Sequence, residues 1–128
     1  MNKSTAMSEE LKELLLTWAS HEPDKIKVLG DNQAFKLEGK GEIFLPEFFI
    51  DSHDNRIFIA IMNSVIEKGL TLIIAPYTNN SFQVRLSKDN EVLAVGAWFR
   101  EPGYAALDTY CHYLKIQNEL AEIELLPT

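Results

Sequence analysis

The chain has 128 residues, of which 46% are hydrophobic and 24% are charged, and this predicts a single soluble domain spanning residues 1–128. Its 19 acidic and 12 basic side chains give a net charge of −7, and because such a surface repels phosphate backbones we expect no nucleic-acid partner. No apolar run reaches the roughly 18 residues that a membrane span requires, so we expect no membrane partner either.

The N-terminal residues 1–7 contain no apolar core segment, which argues against a signal peptide and predicts a frayed start. The single cysteine, Cys111, cannot form an internal disulfide. Both features fit a reducing compartment, so we expect a cytoplasmic protein, in the host cytoplasm if the protein is viral.

The first predicted helix begins after Ser8, whose hydroxyl suits an N-cap, and it should end near 20–22 because Pro23 disfavours helical geometry just before it. Apolar residues recur at helical spacing and predict one buried stripe. The stripe consists of Leu11, Leu14, Leu15, Trp18 and Ala19.

Two segments with alternating apolar residues, 25–29 and 33–38, flank the turn-forming residues Gly30-Asp31-Asn32 and predict a β-hairpin. The apolar stretch 43–50 follows. Because Pro46 interrupts it, this stretch is either an edge strand or a packed loop.

The second predicted helix opens at Asp51-Ser52-His53-Asp54, which supplies several capping oxygens, and it runs through residue 67. Gly69 is the natural residue for its C-terminal cap. We expect Ile61 to lie in the core. The whole predicted apolar face comprises Ile57, Phe58, Ile61, Val65 and Ile66.

Three short apolar segments between Leu70 and Trp98 predict an antiparallel β-meander with one buried face. Pro76 ends the first segment, and the others alternate apolar and polar residues around a turn at 88–90. The last predicted helix covers about 104–117, with a stripe of Leu107, Tyr110, Cys111 and Leu114.

The fold class that follows is α+β: a two-layer sandwich of an antiparallel β-meander with flanking helices, in the order α-β-β-α-β-β-β-α. Residues 118–128 alternate acids with aliphatic side chains. They can extend the last helix, add an edge strand or wrap onto a neighbouring subunit as an interaction arm.

The sequence offers no recognisable catalytic or metal-binding pattern. The three histidines, His21, His53 and His112, lack a second ligand at zinc-site spacing. The string 51–55 resembles a calcium loop but lacks its central glycine and distal glutamate. Cys111 falls on a predicted buried face, where a thiol behaves as a small apolar residue. We therefore predict no catalytic residue, no bound metal and no cofactor.

The strand-to-helix junction at 98–104 is the best candidate ligand site. It combines Trp98, Arg100 and Tyr104 with a helix N-terminus, which favours anions. Arginine pairs bidentately with phosphate or carboxylate, and an aromatic ring can stack on a base. Alternatively, Trp98 simply completes the core and Arg100 forms a surface ion pair with Glu101 or Asp108.

Further candidates lie in the meander. The turn after its first strand should fall at the same end of the sheet as residues 98–104, so Tyr77, Asn79 and Asn80 can complete such a site. Arg85 lies in the middle of a strand, and whether it faces solvent depends on the strand register.

The segment 51–116 resembles the small phage and prophage proteins that have an α-β-α sandwich domain. The resemblance rests on the helix from Asp51-Ser52-His53-Asp54 to Gly69, on the meander ending in Trp98, and on the proline-led helix from Pro102 to Leu114. It implies a non-enzymatic anti-defence factor. Such a factor either sequesters a small nucleotide-like signal in the interface of a homo-oligomer or blocks a host protein.

Two other functions stay open. One is an assembly or accessory subunit that uses 118–128 as its arm, and the other is a small nucleotide-processing enzyme in which His53, Asp54 and Arg100 converge. A protein inhibitor would dock through an acidic face. That face would consist either of Glu9, Glu10 and Glu13 or of Glu119, Glu122 and Glu124.

Overall fold

The computed structural model describes residues 5–30, 34–38, 43–46, 48–49, 51–77 and 80–124. Its elements in chain order are β1 (Thr5–Ala6), α1 (Glu9–His21), β2 (Ile26–Leu29), β3 (Ala34–Leu37), β4 (Ile43–Leu45), β5 (Phe48–Phe49), α2 (Asp51–Glu67), β6 (Thr71–Tyr77), β7 (Ser81–Lys88), β8 (Glu91–Val95) and α3 (Pro102–Glu124).

The described strands form three antiparallel sheets, ordered β1-β5, β2-β3-β4 and β6-β7-β8. The α+β class and the predicted succession α-β-β-α-β-β-β-α are confirmed, with the short strands β1, β4 and β5 in addition. Helix α3 packs on β7 and β8, α2 touches β6, and α1 lies against α3 and β2.

Helix α1 has the predicted boundaries. The Ser8 hydroxyl accepts the backbone N–H of Leu11 at 3.2 Å, which satisfies one of the free donors of the first turn. The buried stripe consists of Leu11, Leu15 and Trp18. The predicted hairpin is also confirmed, because β2 pairs with β3 in a register that puts Ile26 opposite Leu37.

The start of the chain differs from the prediction. Strand β1 pairs with β5, with Thr5 opposite Phe49, and Met7 is buried. The predicted frayed start is therefore wrong for residues 5–7, while 1–4 lie outside the described residues. The stretch 43–50 contains an edge strand, β4, paired with β3, and then β5 after Pro46.

Helix α2 ends as predicted, and Gly69 beyond it adopts φ +70°, a conformation that glycine tolerates without strain. Ile57, Ile61 and Val65 are buried at a spacing of four residues. Ile66, predicted to lie in the same face, is 65% exposed. It follows Val65 by about 100° around the helix, which turns it past the edge of the buried stripe.

The meander is confirmed, with Ile73 opposite Arg85 and Arg85 opposite Val95. Strand β6 continues through Pro76, where the sequence predicted its end. Phe82, opposite Pro76, exchanges both of its backbone hydrogen bonds with Phe99, so the pair Pro76–Phe82 needs no N–H from the proline. A bulge between Leu86 and Ser87 shifts the pairing with β8.

Helix α3 is longer than the predicted 104–117, since it begins at Pro102 and continues to Glu124. Of the three alternatives for 118–128, the structure therefore shows helix extension as far as 124, and residues 125–128 lie outside the described part. The predicted stripe of Leu107, Tyr110, Cys111 and Leu114 is buried.

The core lies between the three helices and the inner faces of the sheets. Trp18 and Tyr110 meet edge to face at its centre, with ring centroids 6.4 Å apart. Ile61 is completely buried, as predicted. Of the helices described here, none is both long enough and apolar enough to cross a membrane.

Candidate functional site

The N-terminus of α3 is capped by a side chain from another helix. Oδ2 of Asp54 accepts the backbone N–H of Gly103 at 2.9 Å, and Oδ1 accepts that of Tyr104 at 2.9 Å. Asp54 is buried. The anion that this helix start attracts is therefore the protein's own carboxylate. This removes the helix N-terminus from the predicted ligand site.

The contact between α2 and α3 requires glycine at position 103. A Cβ atom built there would lie 2.1 Å from the backbone oxygen of Asp54, far inside van der Waals contact. Gly103 thus allows the two helix starts to approach until the Asp54 carboxylate reaches the free N–H groups.

The other residues of the predicted 98–104 site diverge. The Tyr104 ring stacks on Phe99, with centroids 4.3 Å apart, and its hydroxyl lies beside Ser8 and Glu10 at the start of α1. Burial raises the pKa of Tyr104 to about 12. Arg100 is exposed on the loop. Tyr104 is therefore a packing residue between α1 and α3.

Asp108, a partner considered for Arg100, is engaged elsewhere. Its Oδ2 accepts the Ala97 N–H at 3.0 Å, and its Oδ1 lies 3.6 Å from Nε2 of His112. These contacts fasten the chain that leaves β8 to the second turn of α3.

Arg85 faces solvent from the middle of the central strand β7. Its Nε and Nη2 donate to Oε1 of Gln83 at 3.2 and 3.1 Å, and Nε2 of Gln83 donates to the Gly96 carbonyl at 3.1 Å. The amide of Gln83 therefore anchors the guanidinium to the backbone after β8. The sequence prediction did not include Gln83. The available signal was its position two residues before Arg85, on the same face of a strand.

We call the face of the β6-β7-β8 sheet that bears Ile73, Arg85 and Val95 the open sheet face. The three residues are neighbours across the strands, and all three are exposed. The opposite face carries the buried Val84 and Leu86, and α3 covers it at β7 and β8. The next row of the open sheet face pairs Ala75 with Gln83. No acidic residue occupies these positions, although the protein carries a charge of −7.

Trp98 lies beside the sheet, two residues beyond Gly96, whose carbonyl oxygen accepts from Gln83. Phe82 and Phe99 exchange backbone hydrogen bonds of 2.6 and 2.9 Å, which extends the pairing of β7 past the end of β8. Between the Gly96–Val84 hydrogen bond and this bridge, Ala97 and Trp98 stand opposite the single residue Gln83, and such an extra residue interrupts the strict alternation of side chains. The side chain of Trp98 is 40% exposed. Arg85 and Trp98 are thus two predicted site residues that are exposed on or beside this sheet.

The remaining predicted residues lie at the end of the sheet. Tyr77 pairs with Ser81 through the backbone, next to the bridge between Phe82 and Phe99, so the turn does fall at the end of the sheet predicted for it. Asn80 is exposed and adopts φ +56°. The side chain of Tyr77 and the whole of Asn79 lie outside the described structure.

A pocket of about 520 Å³ opens between α1, the β2–β3 hairpin and α2. Its size suits a small ligand. However, the charged side chains around it neutralise one another, since Lys25 pairs with Glu67 and Lys27 lies 3.5 Å from Glu38. The pocket therefore presents no unbalanced charge with which to select a ligand.

A buried carboxylate lies behind this pocket. Oε1 of Glu22 accepts the Trp18 indole N–H at 3.0 Å and the Tyr110 hydroxyl at 2.8 Å, and Oε2 lies 3.1 Å from Nζ of Lys68. Burial raises the pKa of Tyr110 far above its ordinary value, and the bond to Glu22 adds to the rise. The group is structural, because each of its oxygens already has a partner in the protein.

Cys111 and His53 are both buried. Burial raises the pKa of the Cys111 thiol to about 12, and its Sγ lies 3.3 Å from the Leu14 carbonyl oxygen. Burial lowers the pKa of His53, and the nearby Arg56 lowers it further. Within the described residues, His, Cys, Asp and Glu form no group of three or more that could hold a metal ion.

Comparison with known proteins adds no assignment to this geometry: no protein-family model matches the chain, and no curated protein or solved structure matches it.

Proposed function

We propose that this protein is a non-enzymatic binding protein, encoded by a phage or prophage, that sequesters a small nucleotide-like ligand on the open sheet face. In this role it acts as an anti-defence factor. The observation that carries the proposal is the exposed Arg85, anchored by Gln83 on an apolar face without acidic residues.

The electrostatics of that face favour an anion. A guanidinium has five N–H donors, and two of those of Arg85 bond to Gln83, so three can serve a phosphate oxygen. Because Gln83 holds the side chain in place, little rotamer entropy remains to be lost on binding.

The aromatic and aliphatic residues around Arg85 favour a flat ring. Trp98 offers an indole for stacking on a base, and such stacking contributes about 1–3 kcal/mol per base in nucleic-acid complexes. Ile73 and Val95 flank Arg85 on either side and supply apolar contact. Together, Arg85, Trp98 and their apolar neighbours favour a ligand in which an anionic group is joined to a flat ring.

The proposal includes a homo-oligomer. A single flat face covers only one side of a ligand, and stable small-molecule sites enclose most of the ligand surface. Two copies that meet through their open sheet faces would enclose it completely. Their Arg85 side chains repel each other unless an anion lies between them, so ligand and second copy should bind together.

The experiment uses the three arginines of the chain. We would screen cyclic and linear nucleotides by thermal shift, measure affinity by calorimetry, and repeat both with Arg85→Gln, Arg56→Gln and Arg100→Gln. We expect Arg85→Gln to weaken binding at least tenfold, which corresponds to about 1.4 kcal/mol. Arg56→Gln, an exposed arginine on α2, is the matched control and should bind normally.

Three results contradict the proposal: no nucleotide binds, the Arg85→Gln variant binds as tightly as the native protein, or the nucleotide is converted to product. If Arg100→Gln loses binding and Arg85→Gln does not, the ligand site is the 98–104 loop and not the open sheet face. Light scattering with and without ligand tests whether two copies assemble around it.

A second candidate function is an inhibitor or assembly subunit that docks on another protein. The observation that favours it is the extension of α3 to Glu124, with exposed aliphatic residues along its last turns.

A further inference from the structure

The C-terminal part of α3 carries an uncovered apolar stripe. We call residues 115–124 the α3 arm. Residues 115–123 are all exposed, and among them Ile116, Leu120 and Ile123 are 39%, 48% and 61% exposed. Three large aliphatic side chains on one helix segment are more than the scattered apolar residues that a surface normally shows.

The stripe has the spacing of a helix-pairing seam. Tyr113, Ile116, Leu120 and Ile123 follow one another at intervals of three, four and three residues. This is the alternation of a and d positions in a heptad, and it aligns the side chains along one side of the helix. The stripe begins at the half-buried Tyr113, which packs against the core, so it continues the hydrophobic surface of the domain outward.

The arm is also acidic. It contains Glu119, Glu122 and Glu124 against one basic residue, Lys115 at its start, and residues 117–124 contain no lysine or arginine. The last turn of α3 has no basic residue, although the carbonyl end of a helix is itself negative and favours cations. The arm therefore combines an apolar stripe with negative charge. Its last two turns contain no basic side chain that could balance this charge.

We infer that the α3 arm is the docking surface for a basic amphipathic helix of a partner protein. Apolar side chains of the partner would cover Ile116, Leu120 and Ile123, and its lysine or arginine residues would meet the glutamates and the negative helix end. A second copy fits less well, because self-pairing would bring two segments of the same charge together.

This inference is independent of the proposed nucleotide site. The arm lies on α3 beyond the core. Helix α3 packs on one face of the β6-β7-β8 sheet, and Arg85 lies on the other face. Substitutions on one surface therefore leave the other intact, and the two proposals can fail separately.

The test uses two designed peptides of about 18 residues, one of leucine and lysine and one of leucine and glutamate, each with leucine at heptad spacing. We would titrate each into the full chain and follow binding by fluorescence anisotropy. The leucine–lysine peptide should bind, and its affinity should fall with added salt. The leucine–glutamate peptide should not bind.

Leu120→Asp separates apolar docking from charge attraction. It removes the centre of the stripe and adds one negative charge, so a purely electrostatic contact would become tighter. We expect instead at least a tenfold loss of affinity for the leucine–lysine peptide. The double variant Glu119→Gln, Glu122→Gln should weaken binding and reduce its salt dependence. Val92→Asp, at another exposed aliphatic residue on β8, is the matched control and should bind normally.

The near-ultraviolet circular dichroism of the buried Trp18 verifies that each variant keeps its fold. Equal binding of the two peptides, or unchanged binding by Leu120→Asp, overturns the inference. A dimer of the free protein that dissociates in Leu120→Asp also overturns it, because the occupant would then be a second copy.

Discussion

The carboxylate of Asp54, in the first turn of α2, accepts the backbone N–H of Gly103 at 2.9 Å and so fixes the start of α3 against the start of α2. The two residues are 49 positions apart. One side chain thereby fixes the start of the last helix against an element that lies much earlier in the chain.

Replacing Asp54 should destabilise the whole fold. Asp54→Ala leaves the N–H groups of Gly103 and Tyr104 without their acceptor, and we expect a loss of about 1–2 kcal/mol in the free energy of unfolding. Asp54→Asn keeps one acceptor and should lose less. Urea denaturation measures both, with Asp24→Ala, at an exposed aspartate, as the control. Equal stability of Asp54→Ala and the control would refute the capping role.

Gly103→Ala tests the close approach of the same two helices. The added methyl group would overlap the Asp54 backbone oxygen, so the helices must move apart and the cap must lengthen. We expect a loss of roughly 1–3 kcal/mol, the usual cost of overpacking. In the double variant Gly103→Ala, Asp54→Ala the two losses of stability should not add. The glycine substitution already weakens the cap that the aspartate substitution removes.

The buried Glu22 should contribute more than any surface charge. Glu22→Ala leaves the indole N–H of Trp18, the hydroxyl of Tyr110 and the Lys68 ammonium without their common acceptor. The Lys68 ammonium reaches solvent, whereas the two buried donors each cost about 1–3 kcal/mol when left unsatisfied, so we expect a loss of roughly 2–5 kcal/mol. Tyr110→Phe removes one hydrogen bond only and should cost about 1–2 kcal/mol. A smaller loss in Glu22→Ala than in Tyr110→Phe would contradict this account.

Stability should fall on mild acidification because of His53. Its pKa in the folded protein is lowered from the ordinary 6.5, first by burial and second by Arg56. The unfolded chain therefore takes up the proton first as the pH falls. The stabilising contribution is complete above pH 6.5 and is lost progressively as the pH falls from 6.5 toward the lowered value.

Urea midpoints at about pH 7.5 and about pH 5.5 measure this loss, since most carboxylates titrate below that window. The His53→Gln variant should show a smaller decrease than the native protein. An identical decrease in both proteins would assign the pH dependence to another group.

Cys111 should react slowly with thiol reagents in the folded protein. Burial raises its pKa to about 12, so the reactive thiolate is scarce at neutral pH, and the side chain is shielded as well. We expect labelling in native buffer at least about 100-fold slower than in urea, because reaction requires local opening. Comparable rates in both conditions would show that the thiol is accessible in the native state.

Local sequence signals predicted most of the fold. Ser8 and Gly69 mark helix ends through short-range geometry, and alternation between 70 and 97 identifies the meander. The predictions that failed depend on where an element stands relative to its neighbours. Ile66 is apolar and adjacent to the buried stripe, yet the position of α2 in the fold leaves it in solvent.

For the candidate site, too, local signals identified the residues but not their long-range neighbours. The register of β7 with β6 and β8 determines that Arg85 faces solvent, and periodicity alone does not fix register. Asp54 was expected to cap its own helix, but it caps α3, a contact between residues distant in the sequence. Long-range partners of polar side chains carry no local signature, which is also why Glu22 gave no signal.

The Glu22 carboxylate also couples the local opening of three separate segments of the chain. Its partners belong to the end of α1, the residue that follows α2 and the middle of α3. No one of these segments can open without breaking a hydrogen bond or ion pair of this buried carboxylate. Amide protons in all three should consequently exchange with solvent through one shared event, as parts of a single cooperative unit.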